Sequence, residues 1–319
     1  MTAVFLDFAT VGRDGLDVTA LRAAAPGLVL HDDTTPDEVA ARIAGHEIVL
    51  LNKVRMTRAL IEGSPSLRVI GLTATGTNNI DLDAARARGV AVRNIRDYCT
   101  PSVVQHVLGV LLYLTHRLPQ YAREAVDGTW ARSATFGLTH HPIRELRGRV
   151  LGIVGWGALG RAVAHACESA LGMQVIVAAR PGDGAPQPGR VPLDELLARA
   201  DVVSLHCPLT PHTNGMIDAR RLALMKPDAV IINTARGALI DPAALAAALR
   251  DGRLGGAAID VLPQEPPVDG SPLLDPTLPN LIVTPHMAWA ARESRQRCLD
   301  ELGANIADWR AGGDRGRVV

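Results

Sequence analysis

Parallel α/β architecture is the fold class this sequence predicts, from three observations. Short apolar runs recur along the chain: HEIVLL, LRVIGLT, RVLGIVG, MQVIVAA, DVVSLHC, DAVIINT, GGAAIDV and NLIVTPH. Between them lie Ala- and Leu-rich stretches of helical character, such as RAVAHACESA and PAALAAALRDG. Strands that alternate with helices in this way form a parallel sheet covered on both faces. A chain of 319 residues also exceeds one ordinary core and suits two domains.

The most clearly marked helix runs from Thr100 to Leu118. Thr100 is placed to cap it, Pro101 suits its first turn, and apolar residues recur on one side through Leu114. PGDGAPQPGR (181–190) reads as an exposed loop, because Gly and Pro punctuate it most heavily. Residues 67–92 and 228–259 share a plan: a strand, a T-A-x-G turn, an Ile-Asp pair, an Ala-rich helix and another strand. Two facing α/β domains would put both turns at carboxyl strand ends, where ligands bind, but any two βαβ units also look alike.

Composition narrows the class of function. Lys+Arg and Asp+Glu balance at 33 each, so no electrostatic pull toward nucleic acid or an anionic membrane is expected. Aromatics at 3% leave few side chains to stack unpaired bases. Cys99, Cys167, Cys207 and Cys298 are scattered, with no C-x-x-C and no His pair at ligand spacing. They read as reduced buried thiols rather than a disulfide framework or a metal site. MTAVFLDFAT lacks the basic and apolar regions of a signal peptide, and VVQHVLGVLLYLTHRL is too short and polar to span a bilayer. A soluble, cytoplasmic protein is the expectation, without nucleic acid, membrane or metal.

One glycine turn points to a nucleotide. Gly155-x-Gly157-x-x-Gly160 follows the apolar run VLGIV and opens the helical run RAVAHACESA. In that setting Gly155 permits a tight turn and Gly157 lets backbone N–H groups approach a pyrophosphate. Gly160 allows helix and strand to pack closely, and the helix N-terminus offers partial positive charge. The next strand would ordinarily end near an acid that binds the ribose hydroxyls of NAD. VIVAARPG ends instead in Ala178, Ala179 and Arg180. Either the glycine turn is coincidental or a different nucleotide is read.

Two later strands and one loop carry polar groups. Arg236 follows AVIIN, His286 follows NLIVT, and Glu265 lies in PQEPP after AAID. Taken singly, each fits an ordinary structural role; together, beside a dinucleotide turn, they fit hydride transfer to a 2-keto acid. A guanidinium holds the substrate carboxylate and carbonyl bidentately, and a His near neutral pH donates the proton to the carbonyl oxygen. A neighbouring carboxylate orients that His and favours its charged form.

The chain resembles the D-isomer-specific 2-hydroxyacid dehydrogenases over essentially its whole length, and within them the glycerate dehydrogenase or hydroxypyruvate reductase group. The resemblance is carried by TATGTNNIDLDAA, RNIRDYCTPSVVQHV, HPIRELRGRVLGIVGWGALGRAVA, SLHCPLTPHT, LALMKPDAVIINTARGALID, DVLPQEPPV and TPHMAWA. It implies Arg236 as the substrate-carboxylate arginine, His286 as acid/base and Glu265 as its partner. It further implies that the N–H groups of Ala74, Thr75 and Gly76 bind the substrate carboxylate and that Trp289 shapes the pocket. Gly155, Trp156, Gly157, Ala158, Leu159, Gly160, Arg180, Cys207, Pro208, Thr213, Thr234, Ala235, Asp260 and His286 are the implied cofactor-binding residues.

The same resemblance implies two Rossmann-like domains facing across a cleft. A discontinuous flavodoxin-like substrate domain (1–98 and 290–319) would receive an inserted dinucleotide-binding Rossmann domain (99–289). Hinges would fall near Asp97–Thr100 and Trp289–Ala291, and a homodimer would be joined through the cofactor domain by residues such as 119–147. Related glycerate dehydrogenases commonly carry an acid where Ala179 stands. Its absence, with Arg180 next and Arg190 and the 181–190 loop nearby, implies NADP in preference to NAD. Phosphoglycerate, formate and phosphite dehydrogenases share the motifs, as do nucleotide-sensing corepressors of this fold. Hydroxypyruvate or glyoxylate reduction fits the quoted stretches best.

Overall fold

A computed structural model describes residues 2–12, 15–180 and 187–319. The chain divides into two compact units, Met1–Cys99 with Trp289–Val319, and Thr100–Ala288. Each edge lies one residue from the expected domain limits. Trp289 stays with the first unit because its indole packs edge-on to Tyr98, with ring centroids 6.1 Å apart.

The first unit holds β1 (Ala3–Phe5), β2 (Val29–Leu30), β3 (Ile48–Leu51), β4 (Val69–Leu72) and β5 (Ala91–Arg93). They form one parallel sheet in the order β2-β1-β3-β4-β5, the flavodoxin-like arrangement. β3 and β4 are wholly buried, as a parallel sheet covered on both faces requires. The C-terminal helix Arg292–Arg310 lays Cys298, Leu302 and Ile306 into this core. Beyond it, Val318 N–H donates to Val92 O at 2.9 Å, and Val92 N–H to Val319 O at 3.2 Å. The chain end is thereby fastened along β5, far from it in sequence.

The second unit holds β6 (Val150–Val154), β7 (Gln174–Val177), β8 (Val202–Leu205), β9 (Val230–Asn233), β10 (Gly256–Ile259) and β11 (Leu281–Val283). All pairings are parallel, in the order β11-β10-β9-β8-β6-β7. Strand order reverses between β6 and β8, and ligands of open α/β sheets bind outside the carboxyl ends at such a point. The paired segments 67–92 and 228–259 prove to be matching βαβ units, β4–helix Leu82–Ala87–β5 and β9–helix Pro242–Arg250–β10. Asp81 and Asp241 cap the two helices by accepting from backbone N–H groups.

One helix ends earlier than its sequence pattern predicts. It covers Thr100–Thr115 rather than reaching Leu118, because Arg117 adopts a left-handed backbone (φ 53°). The Thr115 hydroxyl bonds back to Leu111 O, and its carbonyl accepts from Arg144 N–H. A separate helix, Leu118–Val126, then starts with Pro119 in its first turn. Thr100 is not a capping residue either: it lies inside the first turn, and its buried hydroxyl finds no partner among the described residues. No helix among the described residues is long and apolar enough to cross a membrane.

Candidate active site

The glycine turn after β6 shows why each glycine stands where it does. Gly155 has φ 105°, and a Cβ there would lie 2.5 Å from the His206 carbonyl carbon. The turn is therefore pressed against the loop that follows β8, across the switch point. A Cβ on Gly160 would meet Gly155 O at 2.0 Å, so the helix Ala158–Leu171 packs directly on the turn. Gly157 differs: nothing lies within 4 Å of the Cβ position, and it precedes the first turn of that helix. An exposed glycine at a 14-residue helix N-terminus with no acidic side chain in its first turn fits a phosphate group. Trp156, Ala158 and Leu159 flank it, each part-buried.

The strand ends beside this turn are polar. Past β8, Cys207 is buried and Pro208 exposed, while the Thr213 hydroxyl donates to Pro208 O (2.8 Å) and accepts from Thr210 N–H (2.7 Å). Thr213 thus braces the loop. Past β9, the Asn233 side chain accepts from Ala235 N–H and donates to Arg236 O, setting the path of Thr234 and Ala235. Two buried atoms here, Thr234 Oγ1 and His206 Nδ1, have no hydrogen-bond partner among the described residues. Unsatisfied polar atoms at carboxyl strand ends fit a polar ligand such as a dinucleotide.

Burial pushes the His206 imidazole down to about 4. The unfolded chain takes up a proton near the ordinary value of 6.5, whereas the folded protein resists it until about pH 4. Stability from this group is full above 6.5, declines as pH falls toward 4, and is level below. His206→Gln is expected to flatten the fall in Tm across that window; an equally steep fall in the variant would place the acid sensitivity elsewhere.

β7 leads to Ala178, which bridges to Val191, and Ala179 N–H donates to Val191 O at 2.7 Å. Arg180 is exposed beyond this pair. Arg190 lies beside it, its guanidinium donating to Ala178 O at 3.4 Å. Residues 181–186 of the loop expected to assist lie outside the described residues.

Arg236, Glu265 and His286 come together around one cavity of about 260 Å³, also lined by Leu209 and Val261. A chain of backbone contacts positions them. A Cβ on Gly237 would fall 2.0 Å from the Leu262 carbonyl carbon, so the turn bearing Arg236 abuts the loop after β10. Leu262 N–H donates to Glu265 Oε1 (2.8 Å), and the other oxygen, Oε2, lies 2.6 Å from His286 Nδ1. Because a carboxylate only accepts, Nδ1 carries a proton and Nε2 is the ring atom left for a reacting group.

His286 is held in a left-handed backbone (φ 53°), a strained state for a residue with a Cβ, costing roughly 1–3 kcal/mol. Asp260 imposes it. Its carbonyl accepts from His286 N–H, while its buried carboxylate accepts from the Thr284 hydroxyl and the N–H groups of Met287 and Ala288. Asp260, expected to line the cofactor, also anchors the histidine turn. Sequence reasoning did not find Gly237, Leu262 N–H or Leu209. Nothing in an isolated NTARG or PLT segment marks such contacts.

In the first unit, Ala74, Thr75 and Gly76 form the turn after β4. Thr75 Oγ1 donates to Ile95 O, and Asn94 Nδ2 donates to Thr75 O, which fixes the turn. The N–H groups of these three residues have no partner among the described residues. Trp289, part-buried, packs against the core of the same unit and against Tyr98.

Residues 108–288 match the model of the D-isomer specific 2-hydroxyacid dehydrogenase, NAD binding domain. A glycerate dehydrogenase of Methylorubrum extorquens is 44% identical over 311 residues, 97% of this chain and 96% of its own. A hydroxypyruvate reductase of Blautia hydrogenotrophica is 35% identical, over 98% of both chains. Among solved structures, the NADPH-dependent glyoxylate/hydroxypyruvate reductase of Sinorhizobium meliloti, in complex with NADP and malonate, aligns with a TM-score of 0.81 at 27% identity. That alignment covers 100% of this chain and 97% of the other.

Proposed function

Because this chain belongs to the D-isomer specific 2-hydroxyacid dehydrogenase family, we propose that it reduces hydroxypyruvate or glyoxylate, with NADPH as the preferred cofactor. The observation that carries the proposal is the shared cavity of Arg236, Glu265 and His286, with the carboxylate 2.6 Å from the imidazole. Arg236 holds the substrate carboxylate and draws charge from its carbonyl. His286 Nε2 gives a proton to the carbonyl oxygen, and Glu265 keeps the ring oriented by accepting from Nδ1. The nicotinamide, when bound, supplies the hydride that completes the 2-hydroxy acid. Gly155, Gly157, Gly160 and the N-terminus of helix Ala158–Leu171 would hold its pyrophosphate.

NADPH is favoured because no acid stands at Ala179 to repel a 2′-phosphate, and Arg180 follows it. The exposed Trp130, Phe136 and Ile143 support a homodimer joined through residues 119–147.

Turnover with both cofactors tests the proposal, on hydroxypyruvate, glyoxylate, pyruvate and phenylpyruvate. Wild-type protein is expected to favour NADPH. Arg180→Ala should lower kcat/KM for NADPH by about 10- to 150-fold, the worth of a charge-assisted hydrogen bond, and leave NADH nearly unchanged. A wild-type preference for NADH rejects the cofactor assignment. Absence of turnover with all four acids rejects the substrate class.

A further inference from the structure

Outside the active site, one cluster has the composition of a metal centre. Glu124, on the helix Leu118–Val126, faces His140 and His141 from the following loop. His140 Nε2 and His141 Nε2 lie 3.0 and 2.8 Å from the same Glu124 oxygen, and the three donor atoms are within 4.8 Å of one another. Four-coordinate zinc, with bonds of about 2.0–2.1 Å, sets its ligand atoms roughly 3.3 Å apart. Small adjustments therefore bring all three onto one ion.

Two further observations show the donors held ready. Tyr121, one helical turn before Glu124, sets its ring edge-on to both imidazoles, at 5.9 and 5.1 Å. Its hydroxyl donates to His141 O at 2.8 Å and accepts from His141 N–H at 3.0 Å, which pins the backbone beneath the second imidazole. These contacts limit the positions from which the two imidazoles reach Glu124. The second carboxylate oxygen, Glu124 Oε2, is buried and has no hydrogen-bond partner among the described residues.

We propose that Glu124, His140 and His141 bind a borderline divalent transition cation, zinc in the first instance, in a three-ligand site whose fourth position is taken by water or another small ligand. Two imidazoles and one carboxylate favour zinc over magnesium or calcium, which take oxygen ligands. The ion would clip the helix Leu118–Val126 to the loop sixteen residues on and stiffen the segment between.

The test uses the full, untagged chain dialysed against zinc chloride, with bound zinc quantified. One equivalent per chain is expected, whatever the oligomeric state, together with a zinc-dependent rise in Tm. Glu124→Gln and His141→Ala should each lose that equivalent, and His286→Ala should keep it. The half-exposed His140 provides a variant, His140→Ala, that removes a ligand without opening a core. Cobalt(II) added to wild type should give visible d–d absorption that the His140→Ala variant lacks. No zinc bound by wild type, or an equivalent that survives all three ligand substitutions, overturns the site.

Discussion

Arg236→Ala is expected to lower kcat/KM for a small 2-keto acid between about thirtyfold and several-thousandfold. Removing one partner of a charge-assisted contact costs roughly 2–5 kcal/mol, and about 1.4 kcal/mol is tenfold in rate. Folding should be little affected, because the guanidinium bond in the structure runs to the neighbouring Ala235 O. Arg236→Lys should recover little, since an ammonium cannot reproduce the bidentate fork that grips a carboxylate. Near-normal activity in Arg236→Ala would remove this residue from the substrate site. A fall in Tm matching the fall in activity would make its role structural.

The second large effect concerns the proton. His286→Asn is expected to reduce kcat by about 10²–10⁴-fold, the usual contribution of a positioned general acid. Asparagine is the informative replacement because position 286 has a left-handed backbone, which Asn tolerates better than most residues. The turn anchored by Asp260 should then survive, leaving the loss of the proton donor as the main change. Tm within a few degrees of wild type and a kcat within tenfold of wild type would together reject His286 as the acid.

Much of this site could be read from the chain because its parts are short and local. The runs that became β3, β4, β6, β8, β9 and β10 are continuous apolar segments, the mark of strands buried on both faces, and those of the edge strands β7 and β11 are apolar as well. The glycine turn is equally local: strand, three glycines and helix lie within one βαβ unit. β1 and β2, three and two residues long, left too little pattern to find. The end of the helix at Thr115 depended on the φ of Arg117 and on Arg144, 29 residues beyond Thr115.

The sequence by itself determined the α/β class, the family and the glycine turn, and it singled out Arg236, Glu265 and His286 as candidates. These follow from residue type and near-neighbour spacing. Only the tertiary structure decided how Gly237 and Leu262 bring Glu265 onto His286, and how Asp260 holds the histidine turn. It also decided that Glu124 meets His140 and His141. Such contacts join atoms far apart along the chain, and their geometry is set by packing and by the need to satisfy buried polar groups.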